Sequence, residues 1–359
     1  MEYGLFNLAM RRAPSTTPAE IISKTLDEVR LAEELGFAVA WFAEHHFANL
    51  SLSPSPLLLA AHVAGATERI GVGSGVVVLP LYQPMRLLEE IAYVDILSGG
   101  RLHLGIGAGS QNHEFRGFGT DVAESGTRFL EVLDIVDMGL EEGRVAYDGR
   151  HFQIPETALS LTPRPRAKPP IYLAGMANDP EITRRVAERG YIPFASAQWL
   201  PVPKVAEKRE GYVRGYEAAG RDPAAMPFAV QRLIYVTDDK ADALDAAEHA
   251  RYTHRIVASA KSGTPVLDRS FIAEAAVMGE DAPETIADVA MIGDAEKIAQ
   301  MIVEDARGLS LSHMSCFMAF GGLEGARVRR SMERFAADVM PAVDKALAET
   351  VPEAGRQTG

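Results

Sequence analysis

Apolar positions along this chain alternate between two periods. Tyr3 to Ala9 is a short run with the make-up of a strand. Pro18 to Leu35 places Ile21, Ile22, Leu26, Val29 and Leu35 at spacings that share one face of a helix, and Gly36 stops it. Ala38 to Glu44 returns to strand character with Trp41 and Phe42, and Pro54 to Thr67 is an apolar, alanine-rich helix. Ile70 to Leu79 is almost continuously apolar, as a parallel strand buried on both faces requires. Pro84 to Ser98 reads as a helix, Leu102 to Ile106 as the fourth strand, and Val122 to Glu142 as the helix after it.

The rhythm then breaks. Val145 to Ile154 predicts a hairpin turning at Asp148 and Gly149, and Leu161 to Pro170 a Pro- and Arg-rich loop. Alternation resumes with strands at Ile171 to Ala174, Ile192 to Ala195 and Phe228 to Val236. Their helices run from Pro180 to Arg189, Pro203 to Ala219 and Ala241 to Tyr252. Residues 255–286 lack a period and suit an insertion or a lid, with Gly263 and Gly279 as its flexible points. A helix at Ala295 to Ala306, an eighth strand at Met314 to Phe320 and a last helix at Glu324 to Leu347 complete the pattern. Eight strand–helix units predict an α/β (β/α)8 TIM barrel with insertions after strands four and seven. The doubly wound alternative usually has fewer strands and a dinucleotide fingerprint near the first, and none is there. Residues 1–350 read as one domain, with insertions at about 143–170 and 255–286, and residues 351–359 as a flexible tail.

Composition narrows the function. The 359 residues are 47% hydrophobic and 24% charged, which is ordinary for a globular protein and excludes a disordered chain. No run of 18 apolar residues predicts a membrane span. A net charge of −13 argues against nucleic-acid binding, which relies on Lys and Arg facing phosphates. The lone Cys316 cannot form an internal disulfide, and the N-terminus lacks the basic-then-apolar pattern of a signal peptide. The expectation is a cytoplasmic enzyme.

A barrel of this kind carries its active site at the C-terminal ends of its strands. After strand two stands Glu44-His45-His46-Phe47, the densest titratable cluster in the chain, and histidine exchanges protons near neutral pH. Adjacent rings point apart, so a metal site is disfavoured; helix capping is the competing role. After strand four stands Gly105-Ile106-Gly107-Ala108-Gly109, whose glycines admit a ligand close to the backbone or simply turn a tight corner. After strand five, Gly175-Met176-Ala177-Asn178 leads into a helix at Pro180. That N-terminus suits a phosphate, or is capped by Asp179 alone. Strand three carries Gly75 and Val76, where a planar ligand can lie. Phe6, near the end of strand one, and Trp199, after strand six, are candidate substrate walls, with packing as the alternative.

Together these segments resemble the bacterial luciferase-like flavin-dependent oxidoreductases. The strongest pieces are Trp41-Phe42-Ala43-Glu44-His45-His46-Phe47, Gly73-Ser74-Gly75-Val76-Val77-Val78-Leu79-Pro80, Ser98-Gly99-Gly100-Arg101-Leu102-His103-Leu104-Gly105-Ile106-Gly107 and Phe115-Arg116-Gly117-Phe118-Gly119. The resemblance spans nearly the whole chain. It implies a (β/α)8 barrel, His45 as catalytic residue and an unusual cis peptide at Gly75-Val76. It also implies reduced FMN delivered by a separate NAD(P)H:flavin reductase. Oxygen adds to that flavin at C4a, and a small organic substrate is then oxygenated. Residues at Gly75–Val76, Gly107–Gly109 and Gly175–Asn178 would hold the flavin. The small, apolar helices Pro54 to Thr67 and Pro84 to Ser98 resemble the family's face for a homodimer. Ala108 stands where luciferase has a phosphate-binding arginine. A relative using the deazaflavin F420 is therefore the alternative, and a non-catalytic flavin-binding subunit a further one.

Overall fold

The computed structural model describes residues 1–161, 168–262 and 265–349. Gly263, most of the Pro- and Arg-rich loop and the tail lie outside the described residues.

Eight parallel strands close into a barrel: β1 (Glu2–Asn7), β2 (Val39–Phe42), β3 (Gly71–Ser74, continued by Val77–Val78), β4 (Leu102–Gly107), β5 (Ile171–Ala174), β6 (Ile192–Gln198), β7 (Ala229–Val236) and β8 (His313–Phe317). Neighbours in sequence are neighbours in space, and β8 pairs with both β7 and β1 to close the ring. The run expected as one strand at Ile70 to Leu79 is broken at Gly75–Val76, whose peptide is cis. Side chains start the helices, the first at the expected Pro18 and the second two residues later than the expected Pro54. Thr17 and Glu20 form a reciprocal capping box ahead of Pro18–Glu34, and Ser55 caps Pro56–Ala64.

Alternation along the strands decides what fills the barrel. Trp41 of β2 points inward and is fully buried. Its indole fits because Gly4 and Gly73 face it: a Cβ on either would lie 2.5 Å from the ring. Around it stand Tyr172, Phe194, His103 and His313. The indole N–H donates to His313 Nε2 at 2.9 Å. Burial lowers the pKa of both histidines, that of His103 to about 4.

Three features depart from the expected pattern. A short helix at Asn112–Gly117 follows β4, unannounced because six residues hold less than two turns of periodicity. The helix after β7 runs from Lys240 to Lys261, so the insertion starts later than 255. It then makes a small hairpin (Leu267–Asp268 with Phe271–Ile272), a helix at Pro283–Val289 and a strand at Met291–Gly293 beside the end of β7. The last helix is interrupted by a wider turn at Phe335–Val339. The hairpin after β4 forms with strands Arg144–Asp148 and Gln153–Ala158, and the Glu131 carboxylate accepts from three backbone N–H groups at its turn.

Candidate active site

Six consecutive strands deliver the singled-out residues to one rim. Phe6 is in β1, His45 follows β2, and Gly75–Val76 interrupts β3. Gly107–Gly109 end β4, Gly175–Asn178 follow β5, and Trp199 follows β6. The register pairs Val78 with Gly107 and Gly107 with Ala174, which sets the ends of β3, β4 and β5 side by side. A Cβ on Gly107 would lie 2.8 Å from Val76, and one on Gly75 3.2 Å from Phe6. The small residues are therefore what lets these strand ends approach.

His45 and His46 have separate surroundings, although β2 ends at Phe42 and neither lies in a strand. The His46 ring is buried, and its Nε2 lies 2.9 Å from Glu44 Oε1. The other Glu44 oxygen accepts from Val78 N–H at 3.1 Å and Tyr82 O–H at 2.9 Å. Burial, then Glu44, pushes the Tyr82 phenol far above its usual pKa. His46 thus belongs to a closed polar knot that ties β2 to the upper part of β3.

The His45 side chain is 25% exposed, and its Nδ1 lies 3.0 Å from Oε1 of Glu114, a buried carboxylate on the short helix. The same oxygen accepts the His46 backbone N–H at 2.9 Å, which fixes the carboxyl in place. Such an acceptor selects the tautomer with hydrogen on Nδ1, leaving Nε2 to exchange a proton. Gln111 Nε2, 3.0 Å from the same Nδ1, serves the opposite tautomer. Glu114 and Gln111 were not among the expected site residues. No local pattern points to them, because they meet His45 across 69 and 66 positions of chain.

At the β5 turn Asp179 caps its own helix. Asp179 Oδ1 accepts from Glu181 N–H at 2.9 Å and Ile182 N–H at 3.1 Å, so those two amides are already used. Gly175 and Met176 have positive φ angles of 79° and 63°, and a Cβ on Gly175 would meet open space. Gly175 and Asn178 on this turn and Ser110 beyond β4 are exposed. These features suit a flavin: half-buried Val76 and Met176 offer apolar surface to a ring, and the open turn with Ser110 and Asn178 offers polar contacts to a phosphate.

The insertion bridges the mouth. Asn49, beyond β2, is buried, takes Ile272 N–H on its Oδ1 at 2.9 Å, and donates its backbone N–H to Ser270 at 2.7 Å. Across the ring, Trp199 Nε1–H donates to Asp281 at 3.2 Å and its ring lies 5.4 Å from His254. β2 and β6 stand on opposite sides of the eight-stranded ring, so the segment tied to both crosses its opening. Arg255 pairs with Glu274 and Glu280 within it.

The chain is similar to known proteins along nearly its whole length. A family model described as luciferase-like monooxygenase matches residues 1–313. The protein y4vJ of Sinorhizobium fredii is 32% identical over 97% of this chain and 99% of its own length. The oxygenase component of a flavin-dependent trigonelline monooxygenase from Acinetobacter baylyi is 26% identical over 95% of each chain. Among solved structures, monooxygenase RslO1 from Streptomyces bottropensis superposes with a TM-score of 0.81 at 23% identity, covering 95% of this chain and 99% of its own. The 3,6-diketocamphane monooxygenase oxygenating component from Pseudomonas putida, in complex with FMN, gives 0.77 at 19%, covering 96% and 98%. An F420-dependent secondary alcohol dehydrogenase gives 0.70 at 19%, covering 95% and 98%. The chain belongs to the luciferase-like flavin-dependent monooxygenase family and is an oxidoreductase built on a (β/α)8 barrel.

Proposed function

We propose that this enzyme is the oxygenase component of a two-component monooxygenase. It takes reduced FMN from a separate NAD(P)H:flavin reductase and uses O2 to oxygenate a small organic molecule. The observation that carries this reading is His45 held through Nδ1 by buried Glu114, on the rim that also carries Gly75–Val76, Gly107–Gly109 and Gly175–Asn178. Reduced flavin bound there supplies the oxygen-activating redox chemistry. The chain supplies position, dryness and a proton. Glycine strand ends bring the ring against the backbone. Gly175, Met176, Ala177 and Asn178, with Ala108 and Ser110 opposite, face the phosphate through amides and small polar groups in place of an arginine. Phe6, Val76 and the bridging insertion keep water from the reacting centre. His45 exchanges a proton at Nε2 while Glu114 holds the tautomer.

The F420 reading draws on one specific observation, the missing arginine at Ala108 together with the self-capped helix behind Asp179. We place the enzyme in the cytoplasm as one domain over residues 1–350. We infer a homodimer through helices Pro56–Ala64 and Pro84–Leu97, where Leu58, Tyr93, Ile96 and Leu97 are exposed. Flavin reoxidation tests the proposal. With the chain in excess, reduced FMN mixed rapidly with O2 returns to oxidised FMN more slowly than free reduced FMN does, and the His45→Ala variant shortens that delay. Reoxidation at the rate of free reduced FMN contradicts it.

A further inference from the structure

We propose that Gln231 and Ser196 form a hydrogen-bonding subsite that receives a carbonyl-type acceptor oxygen on an otherwise apolar substrate; this deepens the monooxygenase reading above and rests on it. The register places Ser196 of β6, Gln231 of β7 and Ser315 of β8 in one tier. Two residues nearer the strand starts, Phe194 and His313 both touch the central Trp41 ring, so this parity points into the barrel. The intervening Arg232 points outward, to Asp305 on a surrounding helix. Ser196 is exposed although it lies on an inner face, so it opens to the mouth.

The pair is chemically one-sided. Ser196 Oγ–H donates to Gln231 Oε1 at 2.8 Å. That bond orients the amide and leaves its Nε2 hydrogens without an acceptor among the described residues, while the nitrogen is not fully buried. Ser315 Oγ, in register beside it, is buried and without a partner. Next to this tier the lining is apolar: Phe317, two residues beyond Ser315 on β8, packs edge to face on Phe6 of β1 at 5.2 Å, and half-buried Val76 interrupts β3 farther round the ring. A molecule with one acceptor oxygen is thereby oriented, its oxygen on the Gln231 amide and its hydrocarbon part toward β1 and β3. A site built to hydrogen-bond a group discriminates against the analogue that lacks it.

The test compares cyclohexanone with cyclohexane and acetophenone with ethylbenzene, titrated by tryptophan fluorescence into the protein with and without FMN. The wild type binds the carbonyl member of at least one pair roughly tenfold more tightly. Gln231→Leu and Gln231→Glu, which both remove the amide donor, abolish that preference at unchanged FMN affinity. Gln231→Glu keeps the polar shape and stands in if the leucine variant fails to fold. No preference in the wild type, or a preference that survives in both variants, overturns the proposal. A tenfold loss of FMN affinity in Gln231→Glu also overturns it, since the subsite would then serve the cofactor. Failure of the flavin reading is separately visible: FMN does not bind the wild type while the carbonyl preference persists.

Discussion

His45 draws its reactivity from what holds it, and its neighbour shows the contrast. Replacing His45 with Ala removes a rim side chain of little core volume. The midpoint of thermal unfolding should stay within a few degrees, while product formation falls about 100-fold or more. Glu114→Gln keeps the shape but loses the negative charge beside Nδ1 and turns one of the two acceptor oxygens into an N–H donor. Turnover should fall roughly tenfold or more, and the acid limb of the pH–rate profile should move. An unchanged profile would reduce Glu114 to packing. His46→Ala should do the opposite. It leaves a buried Glu44 oxygen without its partner, costing about 2–3 kcal/mol in urea unfolding at near-parent turnover per folded molecule. The histidine pair was legible from sequence as a titratable cluster just past a strand end, although β2 stops at Phe42 and the loop itself gives the two rings their separate partners. Glu114 was not, because a contact across 69 positions leaves no local trace.

At the scale of elements, the eight barrel strands were readable because strands covered on both faces need long apolar runs. The helices were readable because their caps sit at the expected offsets. What escaped was short or set by tertiary contacts. Met291–Gly293 is three residues long and exists because the end of β7 offers an edge. The helix Lys240–Lys261 outruns its apparent stop because His249, Tyr252 and His254 pack on the loops of the mouth. Among the described residues, Asn49 joins the bridging insertion to the loop after β2. Asn49→Ala should leave the barrel's unfolding transition in place while proteolysis within 262–289 speeds several-fold. Cleavage at the parent rate would mean that the hairpin is held from elsewhere.

For the whole molecule, acid is the informative stress. His103 and His313 are buried with pKa values below the ordinary 6.5, His103 at about 4. In the unfolded chain both take up protons below about pH 6.5, whereas the folded barrel resists. Their contribution is therefore full above pH 6.5 and lost as pH falls toward 4, about 3 kcal/mol for His103 alone. Urea unfolding at pH 7 and pH 5 checks this, and His103→Gln should flatten the dependence. Assembly is a second property of the whole. Leu58→Arg or Leu97→Arg on the apolar helix face should shift sedimentation from dimer to monomer with the fold intact. The central claim, that the rim from Phe6 to Trp199 holds reduced FMN, is tested most directly by anaerobic titration of the purified protein with reduced FMN and reduced F420. The account predicts saturable binding of reduced FMN, tighter than reduced F420 and weakened by Gly107→Leu. Tighter binding of reduced F420, or no binding of reduced FMN, would contradict it.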